Sequence, residues 1–255
     1  MHKCVFKIGD VIILTGLARN TAKLFSNDGK LFIVALDHPQ FFGPMEGLER
    51  PLEILERLAS TVADGFIVNP GLIKLMDPDL VAAKKLIVRS SLGGSKFSDY
   101  KTVHPIVFGA DTLVNYGADA AIVMLILGSH DYDSMENVAR AIEEYHSLSV
   151  PVIVEILAED FSKTSDPELV RTGARIAAEL GADVLKVFFT EDFSSVIEGC
   201  PVPVILAGGP KNLDVLSMAK SAKESGAKGL AFGRNVFQSA DPVSLVSELD
   251  RVLRG

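Results

Sequence analysis

The sequence predicts an α/β fold, namely a single (β/α)8 barrel, or TIM barrel, with a short N-terminal capping segment. The chain has 255 residues, and a barrel of this kind needs about 250. Apolar runs rich in Val, Ile and Phe alternate with helical patterns, and no Pro-, Gly- or Ser-rich linker divides the chain. An open doubly wound sheet is the alternative, but the regular strand–helix repeat favours the closed barrel.

The predicted strands are apolar runs, most of which end in Gly, Asp, Ser or Asn. Most runs are continuous rather than alternating, which is typical of parallel strands that are covered on both faces. Eight runs fit this description: Leu31–Leu36, Gly65–Asn69, Leu86–Ser90, Ala118–Leu127, Val150–Ile156, Ala182–Phe189, Val202–Ala207 and Ala227–Phe232.

Helical patterns lie between these strands. Glu46–Val62 carries a stripe of leucines on one face, which predicts an amphipathic helix. Asp166-Pro167 and Asp241-Pro242 each place a capping acid before a first-turn proline, which is typical of a helix start. Gly181 is typical of a helix end.

Residues 1–30 fall outside the repeat, and residues 31–255 form the predicted barrel, so that the chain is one domain overall. Cys4–Leu14 is predicted to form a hairpin around Gly9-Asp10, and Ala18–Phe25 a short helix. Together these elements are expected to cap the bottom of the barrel.

Charge and composition argue against several classes of protein. The net charge of −8 is unfavourable for a nucleic-acid-binding surface. The two cysteines, Cys4 and Cys200, do not suggest a disulfide framework, and no apolar run reaches the length of a membrane span. Lys7 and Asp10 interrupt any signal-peptide core. We therefore expect a cytoplasmic protein without nucleic-acid or membrane partners.

In a TIM barrel the chemistry takes place where the strands end and the following loops begin. The predicted strand ends offer these groups: Asp37-His38, Asn69, Arg89-Ser90-Ser91, Ser129-His130, Glu155, Lys186, Gly208-Gly209 and Gly233-Arg234.

Lys186 is the candidate nucleophile. It stands inside an apolar strand, on the same face as Val184 and Phe188, where an unpaired charge is costly. If this face is the barrel interior, burial would lower the pKa of the amine and leave it free to attack a carbonyl carbon. A structural ion pair with an internal acid such as Asp37 is the alternative.

Two strand ends offer candidates for proton transfer. Asp37 and His38 follow the first strand and would move protons during attack on a carbonyl, although Asp37 would equally serve as a helix cap. Glu155, late in the fifth strand, is a candidate acid or base. Its alternative role is to form an ion pair with Arg89 or Lys186.

Two glycine loops predict a phosphate site. Gly208-Gly209 follows the seventh strand and Gly233-Arg234 the eighth, where barrels often bind phosphate through backbone N–H groups and a short extra helix. Gly233–Ser239 would supply that helix, and Arg234 a charged contact. Two ordinary glycine turns are the alternative. Arg89 and Ser91, at the end of the third strand, complete the candidates for substrate binding.

The other histidines and the acidic residues predict no further site. His130 and Tyr132 lie on a predicted solvated loop, and His104 and His146 are expected at the surface. No group of His, Asp and Glu has clear metal-ligand spacing, so we expect no catalytic metal.

Several motifs, in this order along the chain, resemble the class I aldolases, which form Schiff bases and include the archaeal-type fructose-bisphosphate aldolases and, more distantly, deoxyribose-phosphate aldolase. The motifs are Ala35-Leu36-Asp37-His38 with Phe42-Gly43-Pro44, Gly181–Lys186, Val202–Gly209 and Gly233–Gln238. The resemblance extends from about Leu31 to the C-terminus. It implies a Schiff base on Lys186 and phosphate bound at the two glycine loops.

Within the family, the sequence is most similar in two stretches to one branch, and it differs from the aldolase pattern at two positions. Gly43–Arg50 and Gly199–Pro203 are similar to the autoinducer-2-phosphate thiolases, which transfer an acetyl group to coenzyme A. Leu157 stands where the fructose-bisphosphate aldolases carry a proton-donating Tyr, and Pro39 replaces a usual Gly. These departures argue against fructose bisphosphate as the substrate but leave the Schiff-base and phosphate motifs intact.

The sequence is therefore interpreted as a class I aldolase that needs no cofactor and makes or breaks a carbon–carbon bond in a phosphorylated ketose or related keto compound. A coenzyme A-dependent thiolase acting on a phosphorylated diketone is the first alternative. A sugar-phosphate-binding barrel without Schiff-base chemistry, acting as a sensor or an isomerase, is the second. The resemblance implies a homo-oligomer, and specifically a decamer.

Overall fold

The barrel is closed and entirely parallel. The computed structural model describes residues 15–98, 104–209 and 214–255, together with the backbone of residues 6–8 and 11–13. Ahead of the barrel, β1 (Phe6–Ile8) pairs antiparallel with β2 (Val11–Ile13). The barrel strands are β3 (Leu31–Ala35), β4 (Gly65–Val68), β5 (Lys85–Arg89), β6 (Ala120–Leu127), β7 (Val152–Ala158), β8 (Val184–Val187), β9 (Val204–Ala207) and β10 (Gly229–Phe232). Because β10 also pairs with β3, the sheet closes, and the predicted TIM barrel is confirmed.

Helices cover the outside of the barrel and connect its strands. They are α1 (Gly16–Leu24), α2 (Pro39–Phe42), α3 (Pro51–Ala59), α4 (Pro70–Ile73), α5 (Pro78–Val81), α6 (Ala110–Asn115), α7 (Tyr132–Ser147), α8 (Pro167–Glu179), α9 (Phe193–Glu198), α10 (Val215–Glu224), α11 (Arg234–Phe237) and α12 (Pro242–Arg254), with a 3-10 helix at Phe161–Lys163. Among the described residues, no helix has the length and apolar character that crossing a bilayer requires.

The helix signals that depend on caps are confirmed. The Asp166 carboxylate accepts hydrogen bonds from the first-turn amides of α8, and Asp241 does the same for α12. Gly181 follows α8 with a φ of 104°, in the left-handed region that glycine enters without strain.

The helix predicted over Glu46–Val62 is wrong in its bounds, because α3 covers only Pro51–Ala59. Gly47 adopts a φ of 81°, and a Cβ on it would lie 2.2 Å from the Phe237 carbonyl oxygen. Proline at the start of α3 then sets the first helical turn. The stripe of leucines therefore begins one turn before the helix does.

The alternation along each strand separates two layers of core. One face of the sheet packs against the helices, and the other fills the barrel interior with side chains such as Ile33, Ile67 and Ile205. Leu24 of α1 is 1% exposed and packs with this inner layer, so α1 closes the bottom of the barrel. The predicted hairpin lies partly outside the described residues, and the division at residue 30 stays a prediction.

Candidate active site

Lys186 and Glu155 face each other inside the barrel. They are register partners on the adjacent parallel strands β8 and β7. Each residue is only 5% exposed, and the Lys186 Nζ donates a hydrogen bond of 2.5 Å to Glu155 Oε1. The predicted interior position of Lys186 is confirmed, and the partner of its amine is Glu155 rather than Asp37.

Arg89 joins this pair to a second carboxylate. Its Nη2 lies 2.6 Å from Glu155 Oε2, and its Nε donates a hydrogen bond of 2.8 Å to Asp37 Oδ2. Arg89 is 1% exposed and Asp37 is 3% exposed. Asp37, Arg89, Glu155 and Lys186 thus form a buried row of alternating charge, hereafter the charged row. Because each carboxylate has a cationic partner, the burial of all four groups is compensated.

The charged row keeps both carboxyl groups ionised. Burial by itself raises the pKa of Glu155, but the Lys186 and Arg89 charges outweigh burial and hold that pKa below its usual range. Burial likewise opposes ionisation of Asp37, yet Arg89 above all lowers its pKa to about 2. Both groups are therefore proton acceptors at neutral pH.

His38 completes the polar side of the site. Its Nδ1 lies 3.6 Å from Asp37 Oδ1, and its ring meets the Phe237 ring edge-on with the centroids 5.3 Å apart. Burial lowers the pKa of His38 to about 4, although the neighbouring Asp37 carboxylate acts in the opposite direction. The imidazole is therefore neutral at physiological pH.

This shift predicts a pH dependence of stability. The folded-state pKa of His38 is about 4, whereas the ordinary pKa of a histidine is 6.5, so between these values the unfolded chain binds a proton that the folded chain does not. The free energy of unfolding should therefore fall by up to about 3 kcal/mol as the pH drops from 6.5 to 4. Urea unfolding of wild type and His38→Gln at pH 7, 5.5 and 4 measures this. A difference between the two proteins that is constant with pH would contradict it.

The two glycine loops form a small cavity beside Lys186. Gly208, Gly209, Gly233 and Arg234 line a space of about 40 Å³ that also reaches Lys186. Asn235 and His38 form the rest of its polar wall. The predicted candidates for phosphate binding are thus brought together next to the candidate nucleophile, and α11 follows Gly233 directly, as predicted. Residues 210–213, which follow Gly209 in the sequence, lie outside the described residues.

Close packing explains the need for glycine in both loops. A Cβ on Gly233 would lie 2.4 Å from His38 Cε1 and 2.9 Å from the Ala35 carbonyl oxygen. A Cβ on Gly208 would lie 2.3 Å from Asn235 Oδ1. Any side chain at these positions would therefore displace the wall of the cavity.

A larger cavity of about 330 Å³ opens on the other side of Lys186. Its polar part is the charged row with His38, His104 and Arg234, and the remainder is apolar. Both cavities are lined by His38, Glu155, Lys186, Phe188 and Arg234. They are therefore adjoining parts of one site, with the Lys186 amine at the junction.

Some sequence candidates lie elsewhere, and one lining residue was missed. Ser91 is buried but does not line either cavity, and forms an isolated bridge with Ile106. His104 was expected at the surface, which is wrong: it is 2% exposed and lines the larger cavity. His130 and Tyr132 are exposed, as predicted.

Among the described residues, no group of three or more His, Cys, Asp or Glu side chains is placed to hold a metal ion.

Known proteins resemble this chain over nearly its whole length. It is 30% identical to an uncharacterised aldolase of Saccharolobus solfataricus, with 91% of this chain and 92% of the relative covered. It is 29% identical to the 3-hydroxy-5-phosphonooxypentane-2,4-dione thiolase of Salmonella typhimurium, with 93% and 82% covered. An archaeal fructose-1,6-bisphosphate aldolase, whose catalytic Lys is covalently bound to the carbinolamine intermediate of the substrate, superposes with a TM-score of 0.82 at 28% identity, covering 94% of this chain and all of that one. Residues 31–239 match the family described as DeoC/LacD family aldolase, and the chain belongs to that family.

Proposed function

We propose that the protein is a Schiff-base-forming aldolase that acts on a phosphorylated ketone, with Lys186 as its nucleophile. The observation that carries this proposal is the position of the Lys186 amine. It lies at the junction of the glycine-lined cavity and the larger cavity, within 2.5 Å of a carboxylate that accepts its proton. The solved archaeal relative, in which the catalytic Lys carries the carbinolamine, supports the same chemistry.

The first half of the reaction forms the iminium ion. Gly208, Gly233 and Arg234 hold the phosphate and set the ketone beside Lys186. Glu155 accepts a proton from the Lys186 ammonium, and the free amine attacks the carbonyl carbon to give a carbinolamine. Glu155 then returns its proton to the carbinolamine hydroxyl, which leaves as water and yields the iminium.

The second half breaks the carbon–carbon bond. Asp37, acting with the neutral His38, accepts the proton of the hydroxyl group β to the iminium carbon. The bond between the α and β carbons breaks, its electron pair moves into the iminium to form an enamine, and an aldehyde leaves. Asp37 then returns its proton to the enamine carbon, and hydrolysis of the resulting iminium by water releases the phosphorylated ketone and restores Lys186. Synthesis follows the same steps in reverse.

A second candidate is coenzyme A-dependent acyl transfer on a phosphorylated diketone. Its support is the 29% identity to the Salmonella relative that is named a thiolase. Leu157 at the position where aldolases carry Tyr, inside the larger cavity, is compatible with it. The two candidates share the Schiff base on Lys186 and differ in what accepts the cleaved fragment.

Product analysis tests the proposal and separates the candidates. The protein is incubated with a panel of phosphorylated ketones and diketones, with and without coenzyme A, and products are identified by mass spectrometry. The proposal predicts an aldehyde product without coenzyme A. Product that forms only with coenzyme A supports the second candidate. If phosphorylated sugars bind, but no product forms and borohydride does not inactivate the protein, the proposal is wrong. The protein would then be a sugar-phosphate-binding barrel without Schiff-base chemistry.

Arg234→Ala should weaken binding of phosphorylated ligands. Arg234 supplies a charge to the glycine-lined cavity, and loss of one charge-assisted contact costs about 1.5–3 kcal/mol, or roughly 10- to 100-fold in affinity. Arg140→Ala is the matched control, because Arg140 pairs with Glu136 on the exposed face of α7. Calorimetric titration with phosphorylated and dephosphorylated forms of one ligand measures the effect. An unchanged preference for the phosphorylated form in Arg234→Ala would refute this role.

The proposal includes a cytoplasmic location, which rests on the composition of the sequence, and a homo-oligomeric assembly, which rests on the family resemblance. Analytical ultracentrifugation at micromolar concentration tests the assembly. A sedimentation coefficient that corresponds to the 27.4 kDa chain alone would overturn it.

A further inference from the structure

The larger cavity has an apolar part made of aromatic and aliphatic side chains, hereafter the apolar wall. The wall consists of Phe41, Phe42, Met124, Leu157, Phe161 and Phe188. Only Phe188 also lines the glycine-lined cavity. The wall is held from behind, since four of its members belong to one buried cluster and Phe161 packs edge-on against Phe188 at a centroid distance of 5.9 Å. The part of the larger cavity that this wall forms is therefore hydrophobic.

With one exception, the described arginine and lysine side chains that line the site already form salt bridges. Arg89 is bonded to the Asp37 and Glu155 carboxylates, and Lys186 to Glu155. Arg234 is the cation that, among the described residues lining the two cavities, forms no salt bridge with a described carboxylate. The described site thus offers one unpaired cation, and that cation stands beside the glycine loops.

A second phosphate in the larger cavity would be strongly disfavoured. It would lose its water against the apolar wall and lie near the Asp37 and Glu155 carboxylates. Arg234, the one described lining cation without a salt bridge, would already hold the first phosphate at the glycine loops. Burying an anion without a partner is costly, and like charges add to the cost. A chain of hydroxyl groups against the same wall would also lose hydrogen bonds to water without replacing them.

We propose that the substrate carries a single phosphate, bound at the glycine loops, and an apolar group at its other end, bound at the apolar wall. The inference deepens the proposed function and rests on it for the chemistry: cleavage releases an apolar aldehyde and leaves the phosphorylated ketone as the enamine on Lys186. The cavity of about 330 Å³ is at the small end of ligand sites, which span about 300–1,000 Å³. It suits a phenyl ring or a chain of about six carbons.

Binding of simple phosphates tests the inference without relying on catalysis. Calorimetry compares propyl phosphate, hexyl phosphate and hexane-1,6-diyl bisphosphate on the wild-type protein. Three additional buried methylene groups should make hexyl phosphate bind on the order of tenfold or more tighter than propyl phosphate. The bisphosphate, identical except for its second phosphate, should bind at least tenfold more weakly than hexyl phosphate. Equal or tighter binding of the bisphosphate would overturn the inference.

Variants of the apolar wall make the test specific to the larger cavity. Leu157→Asn should reduce the advantage of hexyl over propyl phosphate several-fold and leave the affinity for inorganic phosphate unchanged. Phe161→Ser, at a residue that is 40% exposed on a 3-10 helix, serves the same purpose if Leu157→Asn does not fold. Leu75→Asn is the control, since Leu75 is 67% exposed and outside both cavities. An unchanged advantage in the wall variants would overturn the inference.

The outcome separates this inference from the proposed function. If hexyl phosphate binds tighter than propyl phosphate and the bisphosphate, but borohydride traps no ketone, the inferred ligand class is supported and the aldolase reaction is refuted. If a Schiff base forms but the bisphosphate is the ligand that binds most tightly, the aldolase reaction is supported and the inference of a single phosphate with an apolar end is refuted.

Discussion

Lys186→Met is expected to lower turnover on the order of 10⁴-fold or more, the scale on which loss of a covalent nucleophile acts. Methionine has no amine, so neither the carbinolamine nor the iminium can form. Its side chain is similar in length and apolar, and therefore fills the space inside β8 without leaving an unpaired charge. Glu155 keeps its bond to Arg89 in this variant. We expect the protein to remain folded while its chemistry is lost.

Lys85→Met is the matched control for this variant. Lys85 is also a barrel-strand lysine, but it lies at the first residue of β5, 3.9 Å from Asp64, and outside both cavities. Steady-state turnover, melting temperature and affinity for a phosphorylated ligand are measured on both variants. Lys186→Met should lose turnover alone, and Lys85→Met should keep it. Turnover in Lys186→Met within tenfold of wild type would show that another group carries the chemistry.

Glu155→Gln is expected to slow the formation of the iminium on the order of 100-fold or more, the usual share of a positioned proton acceptor. The Glu155 carboxylate is the group within 2.5 Å of the Lys186 Nζ, and its pKa lies below the usual range because Lys186 and Arg89 outweigh the effect of burial. An amide of the same shape accepts a hydrogen bond but does not take up the proton. The proton that Lys186 must lose before it attacks the carbonyl would then have no acceptor at this position.

The same substitution also removes one charge from the charged row, so stability and chemistry must be measured separately. Glu155→Gln leaves Arg89 with Asp37 as its remaining anionic partner, and we expect a lower melting temperature. Rapid-quench single-turnover kinetics report the rate of iminium formation at a temperature where the variant is fully folded. Glu159→Gln is the control. Glu159 directly follows the same strand, but its carboxylate accepts a hydrogen bond from Ser129 and lies outside both cavities. A lower melting temperature with an unchanged single-turnover rate would assign Glu155 a purely structural role.

The fold could be predicted because most of the barrel strands are continuous apolar runs, and this pattern is typical of strands covered on both faces. The alternation placed Val184, Lys186 and Phe188 on one face of their strand, and the structure shows that this face is the barrel interior. Capping acids before proline located the starts of α8 and α12. These signals are local, and a single sequence carries them in full.

The charged row was only partly predictable. Its bonds join residues that are 52, 66 and 31 positions apart, and which of them meet depends on the register between strands. The sequence left Glu155 with either Arg89 or Lys186 as a partner, and the structure gives it both. The glycine loops could be located because the carboxyl ends of β9 and β10 are a common phosphate site in barrels.

His104 and the start of α3 could not be predicted, for physical reasons that differ. His104 lies in an irregular segment between β5 and α6, which has no periodicity to show whether a side chain is buried. The stripe of leucines before α3 continues the helical period, but the positive φ of Gly47 interrupts the chain there, and the helix starts only at Pro51. A close contact with the Phe237 backbone, far along the chain, explains that glycine.

The site of the Schiff base is the central claim, and peptide mapping after borohydride reduction tests it most directly. The wild-type protein is reduced in the presence of a phosphorylated ketone that it turns over, digested, and sequenced by tandem mass spectrometry. The account predicts one stable adduct on Lys186, whose added mass is that of the ketone minus one water plus two hydrogens. An adduct on a different lysine, or a protein that keeps full activity through the reduction, would contradict it.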